Sequence, residues 1–260
     1  MSENVIFCYS GTGNCLDMAK NIACSLGDTD IIMMRSAPVK TDVREAARVG
    51  FIFPCYAGGA PGDVLSYVRG IQVSPDSYTF GIVQCAAYPG TGLAELDRII
   101  PLRYWSVVTH QCSCIWLFPH TLMRPAMSAE KAQQRSEKLA KEIAENLRAG
   151  VVSEKKPPNH LINRAESRFW PAIARKKAAG FKVSDACIGC GQCVSLCPKG
   201  NIRLKDGRAV IGTDCIQCLG CLQYCPRSAI SLGSITEKRE HYHNPNVSAS
   251  ELTEPIIHVD

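Results

Sequence analysis

Residues 4–15 read Asn4-Val5-Ile6-Phe7-Cys8-Tyr9-Ser10-Gly11-Thr12-Gly13-Asn14-Cys15, an apolar run that gives way to a loop of small residues. A helical pattern continues through Leu26 and stops at Gly27, so the order is strand, loop, helix. The same alternation returns along the chain. Residues 31–34 and 49–55 read as strands with a short helical stretch between them, and a glycine-rich loop then leads to a helix near residues 64–69. A strand over residues 80–86, a loop with Pro89, Gly90 and Gly92, a helix to Ile100 and an apolar stretch over residues 105–118 follow. A helix over residues 129–149 closes the series, with Ala132, Leu139, Ile143 and Leu147 on one face, Ser128 as its N-cap and Gly150 at its end. Strands that are apolar throughout, rather than alternating, need cover on both faces. Five such units therefore predict a doubly wound, five-stranded parallel sheet.

The 260 residues are 46% hydrophobic and include 15 cysteines, with a net charge of +5. That much apolar surface can offset the ordering entropy and excludes a wholly disordered chain. No run approaches the roughly 18 apolar residues of a membrane span, and no basic stretch precedes an apolar one at the start, so a soluble, cytoplasmic protein is expected. A reducing compartment keeps cysteines as thiols or gives them to metal, and metal is the expectation here. Residues 128–182 hold 13 Lys and Arg against 6 Asp and Glu. The positive charge thus belongs to a connecting segment, and nucleic acid is not an expected partner.

Lys155-Lys156-Pro157-Pro158-Asn159 cannot continue a helix and marks a boundary. The expected organisation is a sheet domain at 1–154, a basic, partly helical linker at 155–180, a cysteine-rich domain at 181–234 and a polar tail at 235–260 without periodicity.

Within the cysteine-rich part, Cys187-x-x-Cys190-x-x-Cys193-x-x-x-Cys197-Pro198 recurs as Cys215-x-x-Cys218-x-x-Cys221-x-x-x-Cys225-Pro226. Two-residue spacing lets three thiolates of one loop converge on three corners of a cubane, and the proline turns the chain after the fourth cysteine. This stretch closely resembles bacterial-type two-cluster ferredoxins, in which the fourth cysteine of each run completes the other cluster. The resemblance implies one 4Fe-4S cluster on Cys187, Cys190, Cys193 and Cys225 and a second on Cys215, Cys218, Cys221 and Cys197. A pair of four-cysteine zinc sites is the competing metal reading, although such sites usually join two separated Cys-x-x-Cys knuckles. Gly189, Gly191 and Gly220 allow close approach of N–H groups to sulfur. So short a span buries little besides metal, which must supply most of its folding energy.

Ser10-Gly11-Thr12-Gly13-Asn14-Cys15, between strand and helix, offers N–H groups to an anion. It is neither the dinucleotide fingerprint, because Leu16 stands where the third glycine belongs, nor a Walker loop. The loop resembles that of flavodoxins, which reads Ser/Thr-x-Thr-Gly-x-Ser/Thr around the FMN phosphate. Cys15 departs from that pattern, and a thiol is a poor donor. The resemblance implies that Pro54-Cys55-Tyr56-Ala57-Gly58-Gly59 and Ala86-Ala87-Tyr88-Pro89-Gly90-Thr91-Gly92 flank the isoalloxazine. Tyr56 and Tyr88 become candidate stacking rings. Gly58-Gly59 would be free to flip a peptide, and Phe118-Pro119-His120 would border the ring. Cys55 could tune the flavin or touch a substrate, whereas Cys112 and Cys114 read as buried, inert thiols.

Taken whole, the chain resembles flavodoxin-domain proteins fused to a C-terminal two-cluster ferredoxin domain. That resemblance implies an electron-transfer flavoprotein relaying electrons between a ferredoxin-type or other low-potential partner, two 4Fe-4S clusters and FMN, and then to an acceptor. The alternative is an FMN-dependent reductase of a small organic substrate. An open flavin edge favours the carrier, and a lid from the linker or tail favours the enzyme. The six histidines assemble no hydrolase motif. Arg175-Lys176-Lys177 reads as a solvated face or a dock for an acidic redox partner.

Overall fold

The structure, a computed structural model, describes residues 2–35, 41–86, 88–109, 128–237 and 241–260. Its first half contains β1 (Asn4–Cys8), α1 (Asn14–Leu26), β2 (Thr29–Met33), β3 (Arg48–Pro54), α2 (Gly62–Val68), β4 (Tyr78–Cys85), α3 (Gly92–Asp97), β5 (Tyr104–Thr109) and α4 (Ala129–Arg148). These five strands pair in parallel in the order β2-β1-β3-β4-β5, which is the flavodoxin-like doubly wound order. The topological switch lies between β1 and β3, so ligands of this fold gather at the carboxyl ends of those strands.

Both faces of the sheet are covered, as the unbroken apolar strands require. On one face Ile6, Cys8, Phe80 and Ile82 pack under Leu16 and Ile22 of α1 and Ile143 and Leu147 of α4. On the other, Phe7, Phe51 and Phe53 meet Val64 and Val68 of α2 and Leu93 and Leu96 of α3, with the Phe7 and Phe51 rings stacked at 5.4 Å. Gly50 leaves room for Phe80, whose ring carbon lies 2.1 Å from where a Cβ would stand. Ser128 caps α4 by accepting the Lys131 N–H.

Between β2 and β3 the expected helical stretch is absent among the described residues. There, residues 41–47 form a bridge and turns instead. Asp42 accepts the main-chain N–H of Arg44, while Val43 N–H donates to Gln72 and Gln72 N–H to Thr41. Those donors are committed to the loop beyond α2, and a helical ladder would have to give them up.

A long helix, α5 (Leu161–Ala178), follows and carries Pro171 within it. Then come β6 (Phe181–Val183), α6 (Gln192–Leu196), β7 (Ile202–Lys205), β8 (Arg208–Ile211), α7 (Gly220–Gln223) and β9 (Ile230–Leu232). β6 pairs with β9 and β7 with β8, two small antiparallel ribbons around a core of Ile202, Leu219, Leu222, Ile230 and Leu232.

The tail does not hang free. Its last strand, β10 (Ile256–Val259), adds antiparallel to β2 and makes the sheet six-stranded and mixed. Ile257 and Val259 point into the face shared by α1, which closes an edge that would otherwise expose unpaired N–H and C=O groups. His258 anchors this strand to Asp30 of β2 at 3.1 Å and also meets Asp260, its neighbour in the tail, at 3.1 Å, and its pKa is raised first by the bond to Asp30. A raised histidine contributes its stabilisation below its ordinary pKa, about 6.5, and loses it as pH climbs through the folded value. Hydrogen exchange of the β10 amides, corrected for intrinsic rates, should therefore show stronger protection at acidic than at mildly alkaline pH. Equal protection would mean that the histidine contributes nothing to docking of the strand.

Candidate functional site

The eight clustered cysteines line two cavities. Cys187, Cys190, Cys193 and Cys225 surround one, together with Ile188, Leu204 and Arg227. Cys197, Cys215, Cys218 and Cys221 surround the other, with Lys199, Asn201 and Ile216. Among the described residues no three His, Cys, Asp or Glu side chains converge closely enough to hold a single metal ion. Main-chain N–H groups point at the sulfurs, with Asn201 donating to Cys197, Gln217 to Cys215 and Ala229 to Cys225, each at 3.3 Å. Such donors stabilise anionic sulfur. Burial pushes the Cys218 thiol up to about 12 and the Cys221 thiol well above its usual range. Thiols this reluctant to ionise alone are deprotonated outright by a coordinating ion, so loading the second cavity must release protons. Four thiols per cavity, backed by N–H donors, suit an iron–sulfur cubane in number and chemistry.

Position distinguishes the two cavities. Cys190 is exposed, whereas Cys221 is buried and Cys218 packs against the sheet core beside Tyr9. The Cys218 carbonyl oxygen lies 2.3 Å from where a Cβ on Gly11 would stand, with the Tyr56 hydroxyl 2.9 Å away from that point. A Cβ on Gly220 would stand 3.1 Å from the carbonyl oxygen of the same Gly11. The loop of the second cavity therefore rests directly on Ser10-Gly11-Thr12-Gly13. Lys199 reinforces the contact through Asp63 of α2 at 3.1 Å, and Arg35 donates to the carbonyls of Ser195 and Leu252.

That phosphate-type loop is compact. Gly13 N–H donates to the Ser10 hydroxyl, and Gly13 adopts φ 90, a left-handed conformation that a side chain would strain. Asn14 and Cys15 are buried as the first residues of α1, and Thr12 is half-buried. The helix N-terminus and the Ser10 and Thr12 hydroxyls are the groups here that can face a phosphate, while the Gly13 N–H is committed to Ser10 and Asp17 is buried in the first turn of the helix.

The tail roofs this loop. Asn244 N–H donates to the Thr12 carbonyl, and the Asn244 amide and Tyr242 hydroxyl both donate to the Asn14 side chain. His243 stacks on Tyr224 at 4.4 Å, and the Tyr224 hydroxyl donates to the Val247 carbonyl. Tyr224 stands next to Cys225, so the strap joins the phosphate-type loop to the cysteine-rich domain.

Pro54, the last residue of β3, and Cys55, Tyr56 and Ala57 after it are half-buried, and Gly58 and Gly59 are buried. Tyr56 and Gly59 close this loop with two reciprocal main-chain bonds, and the Tyr56 ring meets Tyr9 edge-on at 6.3 Å. The Gly58 carbonyl accepts from both the N–H and the hydroxyl of Thr91, so flipping that peptide requires breaking two bonds. Gly90 and Gly92 are buried, Ala86 is half-buried and Tyr88 is exposed; Gly90 lies against the Gly58 main chain. Burial first, and Cys85 second, push the Cys55 thiol up to about 12, so Cys55 is neutral near pH 7. Ala87, Cys112, Cys114, Phe118, Pro119 and His120 lie outside the described residues.

Over these two loops lies α5. Ser167 sits 2.0 Å from a would-be Cβ on Gly59, Asn163 and Glu166 crowd Gly58, and Tyr88 donates its hydroxyl to the Glu166 carboxylate at 2.7 and 2.8 Å. Burial and that carboxylate raise the Tyr88 pKa and keep its proton in place. Glu166, Asn163 and Ser167, like Tyr242 and Asn244 in the tail, escape a reading of motifs. They are polar residues in segments without a family pattern.

The chain is a flavodoxin-like α/β domain joined to a ferredoxin-type iron–sulfur domain. Residues 186–230 match the 4Fe-4S dicluster domain family. Structures similar to part of the chain include rubredoxin oxygen:oxidoreductase from Desulfovibrio gigas, at 14% identity and TM-score 0.37 over 57% of this chain and 37% of that one. Others are the flavodoxin of Streptococcus pneumoniae TIGR4, at 15% identity and TM-score 0.36 over 55% and 97%, and NAD(P)H:quinone oxidoreductase from Methanothermobacter marburgensis, at 9% and 0.38 over 60% and 98%. No curated protein sequence matches the chain. Among the described residues no helix is long and apolar enough to cross a membrane.

Proposed function

We propose that this chain is an iron–sulfur flavoprotein that relays electrons between a low-potential one-electron partner of ferredoxin type and FMN, by way of two 4Fe-4S clusters. In this reading Cys187, Cys190, Cys193 and Cys225 hold the first cluster, and Cys215, Cys218, Cys221 and Cys197 the second. Ser10–Cys15 would hold the FMN phosphate and residues 54–59 and 86–92 would flank the ring, a placement that requires α5 to leave Gly58, Gly59 and Tyr88, on which Asn163, Glu166 and Ser167 rest. Bound clusters supply one-electron steps and FMN either one or two, so their union converts a one-electron current into two-electron chemistry.

One observation carries the reading: Cys218, a lining residue of the second cavity, rests its carbonyl on Gly11 of the phosphate-type loop. The two cofactor sites share a wall of backbone. The chain's own residues then do three things. Gly11 and Gly220 permit that approach, the Tyr242–Asn244 strap fixes it, and Tyr9 fills the space beside Cys218 so that water is kept out. A colour spectrum, an iron count and a flavin extract of anaerobically purified protein test the reading. About eight irons and one FMN per chain are expected, and zinc with no flavin would overturn it.

A second reading, an FMN-dependent reductase of a small organic substrate, is favoured by α5. It covers both flavin-type loops and sets a protonated Tyr88 against Glu166, where an open-edged carrier would leave those loops to solvent. Anaerobic titration with candidate acceptors separates the readings. Saturable, acceptor-dependent reoxidation of the flavin supports the reductase, and its absence with protein acceptors active supports the carrier.

A further inference from the structure

Tyr9 follows β1 directly and leads into Ser10 and Gly11, and it is buried in the core on the α2 and α3 face of the sheet. Its ring is held there, with Tyr56 meeting it edge-on at 6.3 Å. Its hydroxyl is the odd group. Shut away from solvent, it makes no hydrogen bond of ordinary geometry among the described residues. A phenylalanine would pack as well, and a buried donor without an acceptor is costly, so the oxygen calls for a partner that completes the site.

That partner stands beside it. Cys218 packs against the same core, and it lines both the second cavity and the adjoining space bounded by Tyr9, Ser10 and Gly11. Apart from burial itself, the Cys218 side chain is what acts most on the Tyr9 hydroxyl, and Tyr9 is in turn a donor to the Cys218 sulfur. A neutral thiol accepts poorly, which leaves the hydroxyl loosely held. A metal-bound thiolate carries negative charge and accepts well. We propose that Tyr9 donates its hydroxyl to the Cys218 sulfur and so raises the reduction potential of the cluster in the second cavity. The inference rests on the assignment of a cluster to Cys197, Cys215, Cys218 and Cys221.

The sign follows from charge. An added electron makes the ligand sulfurs more negative, so a donor aimed at one of them holds the reduced form more tightly than the oxidised form. Enclosure works the other way, because low-dielectric surroundings disfavour added charge. The second cavity is the more enclosed, with Gly11 and Tyr9 against Cys218, whereas Cys190 of the first is exposed. Main-chain donors serve both cavities, Ala229 to Cys225 in the first and Asn201 to Cys197 and Gln217 to Cys215 in the second. Lys199, the cation lining the second cavity, is held by Asp63 at 3.1 Å and Asp214 at 3.8 Å, which offsets its charge. The hydroxyl of Tyr9 is thus the group by which the sheet domain acts on the inner cluster, and it counters the penalty of enclosure. Tyr9 is a positioning residue in this sense: it reaches the iron only through the sulfur of Cys218.

The test is a redox titration of the full, cluster-loaded chain, purified without oxygen and followed by low-temperature EPR. Tyr9→Phe keeps the ring and removes only the hydroxyl. The second cluster should move to lower potential, enough to shift electron exchange between the two clusters about tenfold toward the first, or about 59 mV for one electron. The first cluster should not move, and iron content should stay near wild type. Incorporating 3-fluorotyrosine at position 9, a stronger donor of nearly the same size, should move the second cluster the opposite way, which a purely structural role would not do. If Tyr9→Phe loses the second cluster altogether, the fluorotyrosine protein alone decides, since it keeps both packing and donor. An unmoved second cluster with all its iron in place, or shifts of the same sign in both proteins, would overturn the inference while leaving the cluster assignment intact. A wild-type chain with only half the expected iron would overturn both, and the iron count shows it before any potential is measured.

Discussion

Replacing Cys197 with serine should remove iron from the cavity lined by Cys215, Cys218 and Cys221 while the cluster of Cys187, Cys190, Cys193 and Cys225 survives. In the chain Cys197 follows the first cysteine triplet, but in space it lies with the second. The variant should retain about half the iron of the wild type. The functional loss should be far larger than half. The second cavity is the one resting on Gly11, so under the proposed relay its emptying would interrupt the route between the exposed cluster and the flavin. Reduced carrier should still bleach the first cluster, and flavin reduction through the protein should fall by orders of magnitude. Iron and sulfide counts with low-temperature EPR identify the missing cluster. Loss of the Cys187-containing cluster instead would refute the crossed grouping. The variant must also be examined for folding, since metal supplies much of the energy of so small a core. A matched Cys225→Ser variant, which should spare the second cluster, provides the comparison.

How much of this was legible in the sequence differs by element. The parallel strands announce themselves because Val5, Ile6 and Phe7, or Phe51, Ile52 and Phe53, are buried on both sides and leave no polar alternation. The cysteine runs are equally plain, since ligand spacing is a local property. The contact between the two domains is not. Its closest point is the main chain of Gly11, Cys218 and Gly220, and backbone approach leaves no trace in a hydrophobic pattern beyond the glycines themselves, while the flanking pairs, Lys199 with Asp63 and Arg35 with the Ser195 carbonyl, join residues far apart in the chain.

The linker helix misleads for a related reason. α5 turns Asn163, Glu166, Ser167 and Ala174 inward because what it covers is glycine backbone, and it leaves Ile162 and Phe169 outside. An apolar-face reading would orient it backwards. The tail hides its role in brevity: four residues of β10 show too little alternation to be separated from coil, and the strap residues Tyr242, Asn244 and Asn246 act through side-chain amides and a hydroxyl. Their pairing with Asn14 and Asp17 spans more than two hundred positions, a distance over which one sequence carries no pairing signal.

Gly11→Ala should have the second large effect, and for a reason that the phosphate motif does not supply. In a simple anion loop a glycine-to-alanine change at this position adds one methyl group facing the ligand. Here that methyl would stand 2.3 Å from the Cys218 carbonyl oxygen, and the atom it meets is main chain, which cannot rotate away. Either the second-cluster loop retreats or the phosphate-type loop does. Overpacking of this kind costs about 1–3 kcal/mol, which the folded chain should survive. The retreat lengthens the path that electrons must cross. Both cofactors should therefore still load, with iron and flavin contents near wild type, while rapid-mixing experiments show slower cluster-to-flavin transfer, because tunnelling falls steeply as the gap between donor and acceptor widens. A variant at the neighbouring position, Thr12→Ser, keeps the hydroxyl and adds no bulk, so it should transfer at the wild-type rate. If Gly11→Ala transfers as fast as wild type with both cofactors bound, the shared backbone wall is not the route. If it loses flavin but keeps its iron, the glycine serves the phosphate rather than the junction.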